Sequence, residues 1–450
     1  MVCRALHVRF LWIDALCIIQ KDKDEQDWYT ESGKMRHIYS NAKFVIAADD
    51  STNCQEGFLR GKYIKPVWRA FSWAPEGAKP QTVFFRACQS IQHYPNALVL
   101  SALSKRGWAL QESILPSRIL HFTAQEIVWE CNTHCQCQCS GEESQDSDYF
   151  LVKNLCQGIS TFRPPRPIGL YDDDNPSKDL LNLLSSPTLA SVYWSWQTII
   201  EYYTKRQLTN HADKLSALSG LAQVAIESHG LNEGAYLAGL WRGSLAKGLL
   251  WHATGPEEPR RYTVYCAPSW SWASIDGSIK YFAEDYQFQF TQNFTILEAF
   301  CERSTPDITG RVKGGYIVSK GTLVSVKLMV KHHSEDTSMY TGYNGNASHT
   351  HRHQMAYIQR DNKDIYEVLL DESTKSGEWD TDYYCLKIGT HSDPGRRGGR
   401  VWWLVLERRG VEKDNIYLFA RVGVGYKYTA SSTLNLGLFS HGSNQVIKLV

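Results

Sequence analysis

The stretch RFLWIDALCIIQ, residues 9–20, decides how this chain is read, because it is a long apolar run with an aspartate at its centre. A basic start followed by Leu11, Trp12, Ile13, Ala15, Leu16, Cys17, Ile18 and Ile19 has the composition of a secretion signal. Asp14 argues against it: a carboxylate in a short apolar core is costly to move into lipid, and no small-residue cleavage site follows. The first part of the run is therefore expected to be a strand-like segment of the folded chain that ends at Asp14.

Outward from this run, the sequence alternates between elements. DEQDWYTESGKMRHIYSNA spaces Trp28, Met35, Ile38, Tyr39 and Ala42 as on a helix, with Asp24 as its cap, and KFVIAAD (43–49) is a short continuous apolar run of the kind found in a covered strand. SKRGWALQESIL (104–115) reads as a helix capped by Ser104, and SRILHFT and EIVWEC read as strands. Residues 1–140 are thus expected to form a parallel-sheet α/β domain. Residues 141–190 turn to Ser, Asp, Pro and Asn, which marks a linker or long surface loop. Residues 191–260 read as helical, with Leu218, Leu221, Ala222 and Ala225 as one apolar stripe ended by Gly230, and residues 261–450 are rich in β-patterns. The overall class is α/β plus α+β, without internal repeats.

Composition narrows the function classes. With 450 residues, 43% hydrophobic and 21% charged, the chain can bury a large core in two or three domains. A net charge of +1 provides no global field for nucleic acid or anionic membrane, and no run reaches the roughly 18 apolar residues of a spanning helix. The 12 cysteines are scattered apart from one cluster near 131–139, which fits a reducing compartment and makes the sequons at Asn293 and Asn346 incidental.

Several phrases, in this order, resemble the fungal heterokaryon-incompatibility (HET) domain proteins. They are LWIDALCIIQ with MRHIYSNAKFVIAA, then GFLR, then RGWALQESILPSRILHF with VWEC, then LSALSGLA, GLWRG, LLWH and APSWSWASIDG, spanning most of residues 9–277. The resemblance implies a cytoplasmic protein of non-self recognition between fused fungal cells, ending in programmed cell death, with other incompatibility proteins or its own copies as partners. It also implies a TIR-like fold in which LWID is an internal strand preceded by several dozen residues. Met1 lies ten residues before Leu11, so the domain is expected to be partial, lacking its first strand. That places a non-functional fragment beside the active readings.

The candidate chemistry centres on Glu112. Trp108 and Glu112, four residues apart on an expected helix, share one face. HET domains are distantly similar to TIR domains, and in enzymatic TIR domains a glutamate similarly spaced after a tryptophan helps cleave the nicotinamide–ribose bond of NAD. The resemblance thus implies NAD as substrate and Glu112 as catalytic residue, since a carboxylate can stabilise the oxocarbenium character developing on the ribose. The same spacing also describes an ordinary helix with a core Trp and an edge Glu. Arg106 either holds a phosphate or pairs with a surface carboxylate, and Asp14 either lines a ligand site beyond a strand end or caps nearby amides. A non-enzymatic module acting by self-assembly is the rival from another class.

Other motifs offer less. Gly61-Lys62 lacks the upstream spacing of a P-loop, and Gly423-x-Gly425 has no following helix. Cys131, His134, Cys135, Cys137 and Cys139 could supply a zinc site, but their tight spacing favours a cysteine-rich loop, so no metal is assigned. His349, His351 and His353 sit among Asn, Gly and Ser, as in a loop. Trp194 and Trp196 share one side of a strand but lie about 200° apart on a helix. Trp270 and Trp272 in PSWSWAS are expected on one face of a strand, and GRRGGR (395–400) is expected to be a hairpin turn.

Overall fold

A computed structural model describes residues 1–19, 26–59, 69–75, 77, 79–85, 101–124, 126–132, 135–137, 189–254, 259–282, 289–330, 355–360, 364–372, 377–378, 383–392, 398–412, 414–429 and 436–450. The linker reading of 141–190 and the triple-histidine stretch fall almost wholly outside these residues, as do Asp24, Gly61-Lys62, His134 and Cys139.

Helix α1 (Gln26–Asn41) buries Met35 and leads into strand β1 (Val45–Ala47). An exposed hairpin follows, β2 (Arg69–Trp73) with β3 (Gln81–Phe85). Helix α2 (Ala109–Ile114) precedes β4 (Arg118–Phe122), β5 (Ile127–Cys131) and β6 (Cys135–Cys137). The sheet order is β1-β4-β5-β6. Only β1 and β4 are parallel, with Val45 opposite Ile119, whereas β4-β5 and β5-β6 are antiparallel. The expected parallel-sheet α/β domain is therefore a small mixed sheet. The reason is the short connection from Phe122 to Ile127, which can only make a hairpin, since a parallel return needs a crossover of a dozen residues or more.

Two further expectations are corrected here. Residues 9–13 form no strand, and Asp14 opens a single helical turn, Asp14–Cys17. Phe10 is 81% and Leu16 80% exposed, while Ile18 is buried. A strand needs a neighbouring strand to pair with, and among the described residues none pairs with residues 9–13. Ser104 does not cap α2: it lies in a 3-10 turn, Leu103–Lys105, where its hydroxyl donates to Ser101 O at 2.7 Å, and α2 begins after Trp108.

The middle region contains α3 (Leu189–Tyr203) and α4 (Ser216–Ser228). On α4 Leu218, Leu221 and Ala222 are buried, as the stripe predicts, while its fourth member, Ala225, is only partly so, and Gly230 follows with φ +60°. The helical reading separates Trp196, which is buried, from Trp194, which is only partly so. Trp270 and Trp272 are fully buried, but PSWSWAS is a turn followed by a 3-10 turn, Trp272–Ser274, not a strand. What fixes it is remote: the indole N–H groups of Trp196 and Trp272 both donate to Gly239 O, at 2.8 and 3.1 Å. Gly239 has φ +94°, and a Cβ there would lie 2.6 Å from Trp272 Nε1. Gly239→Ala should therefore destabilise the chain by about 1–3 kcal/mol or more, through backbone strain and overpacking together. An unchanged urea midpoint would contradict this role.

Strands β7 (Trp251–Thr254) and β8 (Ser278–Tyr281) pair beside α3. The remainder is one eleven-stranded sheet. Its strands are β9 (Gln289–Gln292), β10 (Phe294–Arg303), β11 (Val312–Val326), β12 (Leu328–Val330), β13 (Met355–Arg360), β14 (Asp364–Leu370), β15 (Gly377–Glu378), β16 (Tyr383–Ser392), β17 (Gly399–Val411), β18 (Tyr417–Thr429) and β19 (Ser443–Leu449). β16, β17, β18, β19 and β11 pair in turn and β11 returns to β16, so these five strands close into a ring. Such a ring of five needs one parallel pair, and β18-β19 supplies it. Alternation along β17 divides its side chains: Trp402, Leu404 and Leu406 join the core shared with α3 and α4, while Trp403 and Val405 join a second core with Tyr366 and Leu438.

β16 and β17 form the antiparallel pair expected to flank GRRGGR, with Ser392 opposite Gly399; the intervening residues 393–397 lie outside the described set. Gly423 and Gly425 serve packing: a Cβ at Gly425 would lie 2.3 Å from the Trp403 ring, and one at Gly423 would lie 2.6 Å from Leu369 O.

Candidate functional site

Glu112 sits in the first turn of the short helix α2, whose Leu110, Gln111 and Ile114 face the core and leave Glu112 on the partly covered side. Burial raises its pKa above the ordinary carboxylate range. The Arg106 charge opposes that rise, Asp14 adds to it, and a hydrogen bond from Tyr39 and the charge of Arg206 oppose it again. Asp14, Arg106 and Glu112, singled out in the sequence, therefore act on one another in the folded chain. The carboxylate of Asp14 also accepts the adjacent Ala15 amide at 2.7 Å, but the helical turn it opens is preceded by Ile13 at the cap position and has no side-chain cap.

Tyr39 and Arg206 are the members that sequence reasoning missed. Tyr39 comes from α1; burial, then the Glu112 and Asp14 charges, push its hydroxyl pKa well up, so it remains a donor. Trp12 closes over it, edge to face, with ring centroids 5.7 Å apart. Tyr39 was visible only as one position of a helical stripe, and Arg206 lay in a different expected domain.

Trp108 belongs to a neighbouring network. Its indole N–H donates to Asp213 at 3.4 Å, and its ring meets Trp28 edge to face at 5.8 Å. Asp213 pairs with Arg311, whose guanidinium also donates to Tyr29 Oη at 2.9 Å and lies 5.0 Å from the Trp28 ring centre. A cleft of about 430 Å³ opens next to this network between α1, α4 and residues 306–308, with Tyr29, Thr30, Gln223, Glu227 and Asp307 in its walls. Asp307 is fixed there by Gln223 Nε2 at 3.0 Å and the Thr309 amide at 3.0 Å.

A second titratable cluster, also missed, is fully enclosed. His121 on β4 lies between Asp49, at 2.8 Å from Nδ1, and Glu130, at 3.1 Å from Nε2, and all three are buried. Burial alone disfavours the imidazolium, but the two carboxylates outweigh it and raise the His121 pKa to about 9. The available signal was a charged or ionisable residue at an inward position in each of three strand segments. Because the folded pKa exceeds the ordinary value of 6.5, the stability from this charge is complete below pH 6.5 and lost as pH rises through about 9. Urea midpoints should fall over that interval, and His121→Gln should flatten the profile. Parallel profiles for both chains would contradict the assignment.

Of the cysteine cluster, Cys131, Cys135 and Cys137 lie on the adjacent strands β5 and β6. Among the described residues no group of three or more His, Cys, Asp or Glu could hold a metal ion, and no helix is long and apolar enough to cross a membrane.

The family model "Heterokaryon incompatibility protein (HET)" matches residues 1–112, a segment that contains Asp14, Tyr39, Arg106, Trp108 and Glu112 but not Arg206. No curated protein and no solved structure matches the chain.

Proposed function

We propose, from the premise that this is a HET-domain protein over residues 1–112, that the chain acts in heterokaryon incompatibility, as a cytoplasmic agent of fungal non-self recognition that ends in programmed cell death. The proposed chemistry is hydrolysis of the nicotinamide–ribose bond of NAD at Glu112. The observation that supports it is the gathering of Tyr39, Arg106, Asp14 and Arg206 around one largely enclosed carboxyl group. In that reaction nicotinamide leaves with the electron pair of the glycosidic bond, the Glu112 carboxylate stabilises the positive ribose, and water adds to the ribose carbon and releases its proton to solvent. Tyr39 orients the carboxylate by hydrogen bonding, and the arginines offset the cost of its charge. Trp108, beside Trp28, supports the helix that carries Glu112.

The reacting form of Glu112 is the carboxylate, and its pKa is raised. NAD consumption should therefore decline with falling pH already above the ordinary carboxylate range. Tyr39→Phe removes an interaction that lowers this pKa, so its profile should move to still higher pH. A profile that is flat through this range in both chains would remove Glu112 as the titrating group.

A second reading has its own observation. Phe10, Leu11, Ile13, Leu16 and Ile19 are all exposed within one short segment, an apolar surface suited to association between copies or with other incompatibility proteins. In that reading the protein signals by assembly without turnover, and sedimentation showing a monomer at all working concentrations would sink it.

A further inference from the structure

Arg106 and Arg206 come from regions 100 residues apart and are held side by side by their backbones. Gln207 N donates to Lys105 O at 2.6 Å, Gly107 N donates to Gln207 O at 2.8 Å, and Arg206 Nη1 donates to Arg106 O at 3.4 Å. Gly107 permits this approach: a Cβ there would lie 2.6 Å from Leu208 Cδ2. The side chain of Arg106 is exposed and makes no ion pair within 4.0 Å among the described residues, and Arg206 is partly exposed. Both charges act on Glu112, with Asp14 the other carboxylate facing it. Glu112 and Asp14 offset these charges in part, but the exposed side chain of Arg106 keeps N–H donors open to an anion arriving from solvent. Their planar forks match the oxygens of a phosphate group.

We propose that Arg106 and Arg206 together form an anion subsite beside Glu112 that takes a phosphate or pyrophosphate group, so that a residue beyond the HET-matched segment completes the site. This rests on the reading of Glu112 as the centre of that site. Gly107 keeps the two backbones in contact, and Arg206 follows directly on the end of α3.

The test is calorimetric titration of inorganic pyrophosphate into the full 450-residue chain at low salt, for the wild type, Arg106→Ala, Arg206→Ala and Arg206→Lys. Each alanine variant should weaken binding by about tenfold or more, and Arg206→Lys by less, because it retains the charge without the fork. Circular dichroism checks folding, and Arg106→Ala, at an exposed position, decides the matter if Arg206→Ala does not fold. Wild-type affinity in folded Arg106→Ala, or no binding by the wild type, overturns the proposal. NAD titrated in parallel separates the sources: loss of both ligands assigns the subsite to nucleotide phosphates, and loss of pyrophosphate alone assigns it to a free anion. Failure of the hydrolase reading is seen separately, as NAD consumption unaffected by Glu112→Ala, and leaves the pyrophosphate titration unaltered.

Discussion

Arg421→Ala should cost the fold about 3–5 kcal/mol, the loss expected when a buried carboxylate is left without its partner. Arg421 is 0% exposed. Its Nε and Nη2 meet the two oxygens of Asp371 at 3.0 and 2.9 Å, its Nη1 donates to Leu249 O at 2.7 Å, and its Nη2 also donates to Trp251 O. The guanidinium lies 3.4 Å from the Trp251 ring centre. Burial lowers its pKa and the Asp371 charge counters that, so the guanidinium stays charged. These contacts join β18 and the end of β14 to β7 and the residues before it, which makes Arg421 a pin between the β-rich region and the helical middle. Arg261 approaches the same carboxylate at 3.5 Å but is too peripheral to replace it. Arg421→Met combined with Asp371→Leu should recover most of the loss, since an apolar pair of similar size leaves no uncompensated charge. Urea midpoints measure both chains. A loss under 1 kcal/mol for Arg421→Ala, or no recovery in the double variant, would show that the pair does not hold the regions together.

On the proposed hydrolase reading, Glu112→Ala should reduce NAD cleavage by about 10²-fold or more, the scale for removing a preorganised group that meets charge developing in the transition state. The folded state should not suffer. Glu112 is a partly covered carboxyl whose pKa desolvation raises, so its removal relieves that cost while Tyr39 loses a hydrogen-bond partner. Glu112→Gln should be as inactive, because an amide keeps the shape but carries no negative charge. The pair of variants thus separates charge from packing. If either retains wild-type turnover while still folded, Glu112 is not the reacting carboxylate.

Periodicity made the helices legible. Met35 on α1, Leu218, Leu221 and Ala222 on α4, and the alternation in RILHF and IVWEC each record a local preference that the fold keeps. What stayed hidden depends on partners distant in sequence. RFLWIDALCIIQ has the apolarity of a strand, but pairing is decided by a neighbour, and Asp14 begins a helical turn instead. Trp270 and Trp272 alternate like strand residues, yet a carbonyl at Gly239 sets the Trp272 indole. Of the candidate site, Asp14, Arg106 and Glu112 were visible through type and spacing. Tyr39 and Arg206 reach Glu112 only through the packing of α1 and the end of α3, which no local pattern encodes. Trp108 was expected to act with Glu112, but its indole is engaged by Asp213, which the sequence placed in another region.

The central claim is tested most directly by measuring cellular NAD after induced expression of the 450-residue chain and of its Glu112→Ala variant, with cell survival followed in parallel. NAD falling before death with the unmutated chain, and neither event with the variant, is the predicted result. Death with NAD unchanged, or an equal fall in NAD with both chains, would contradict it.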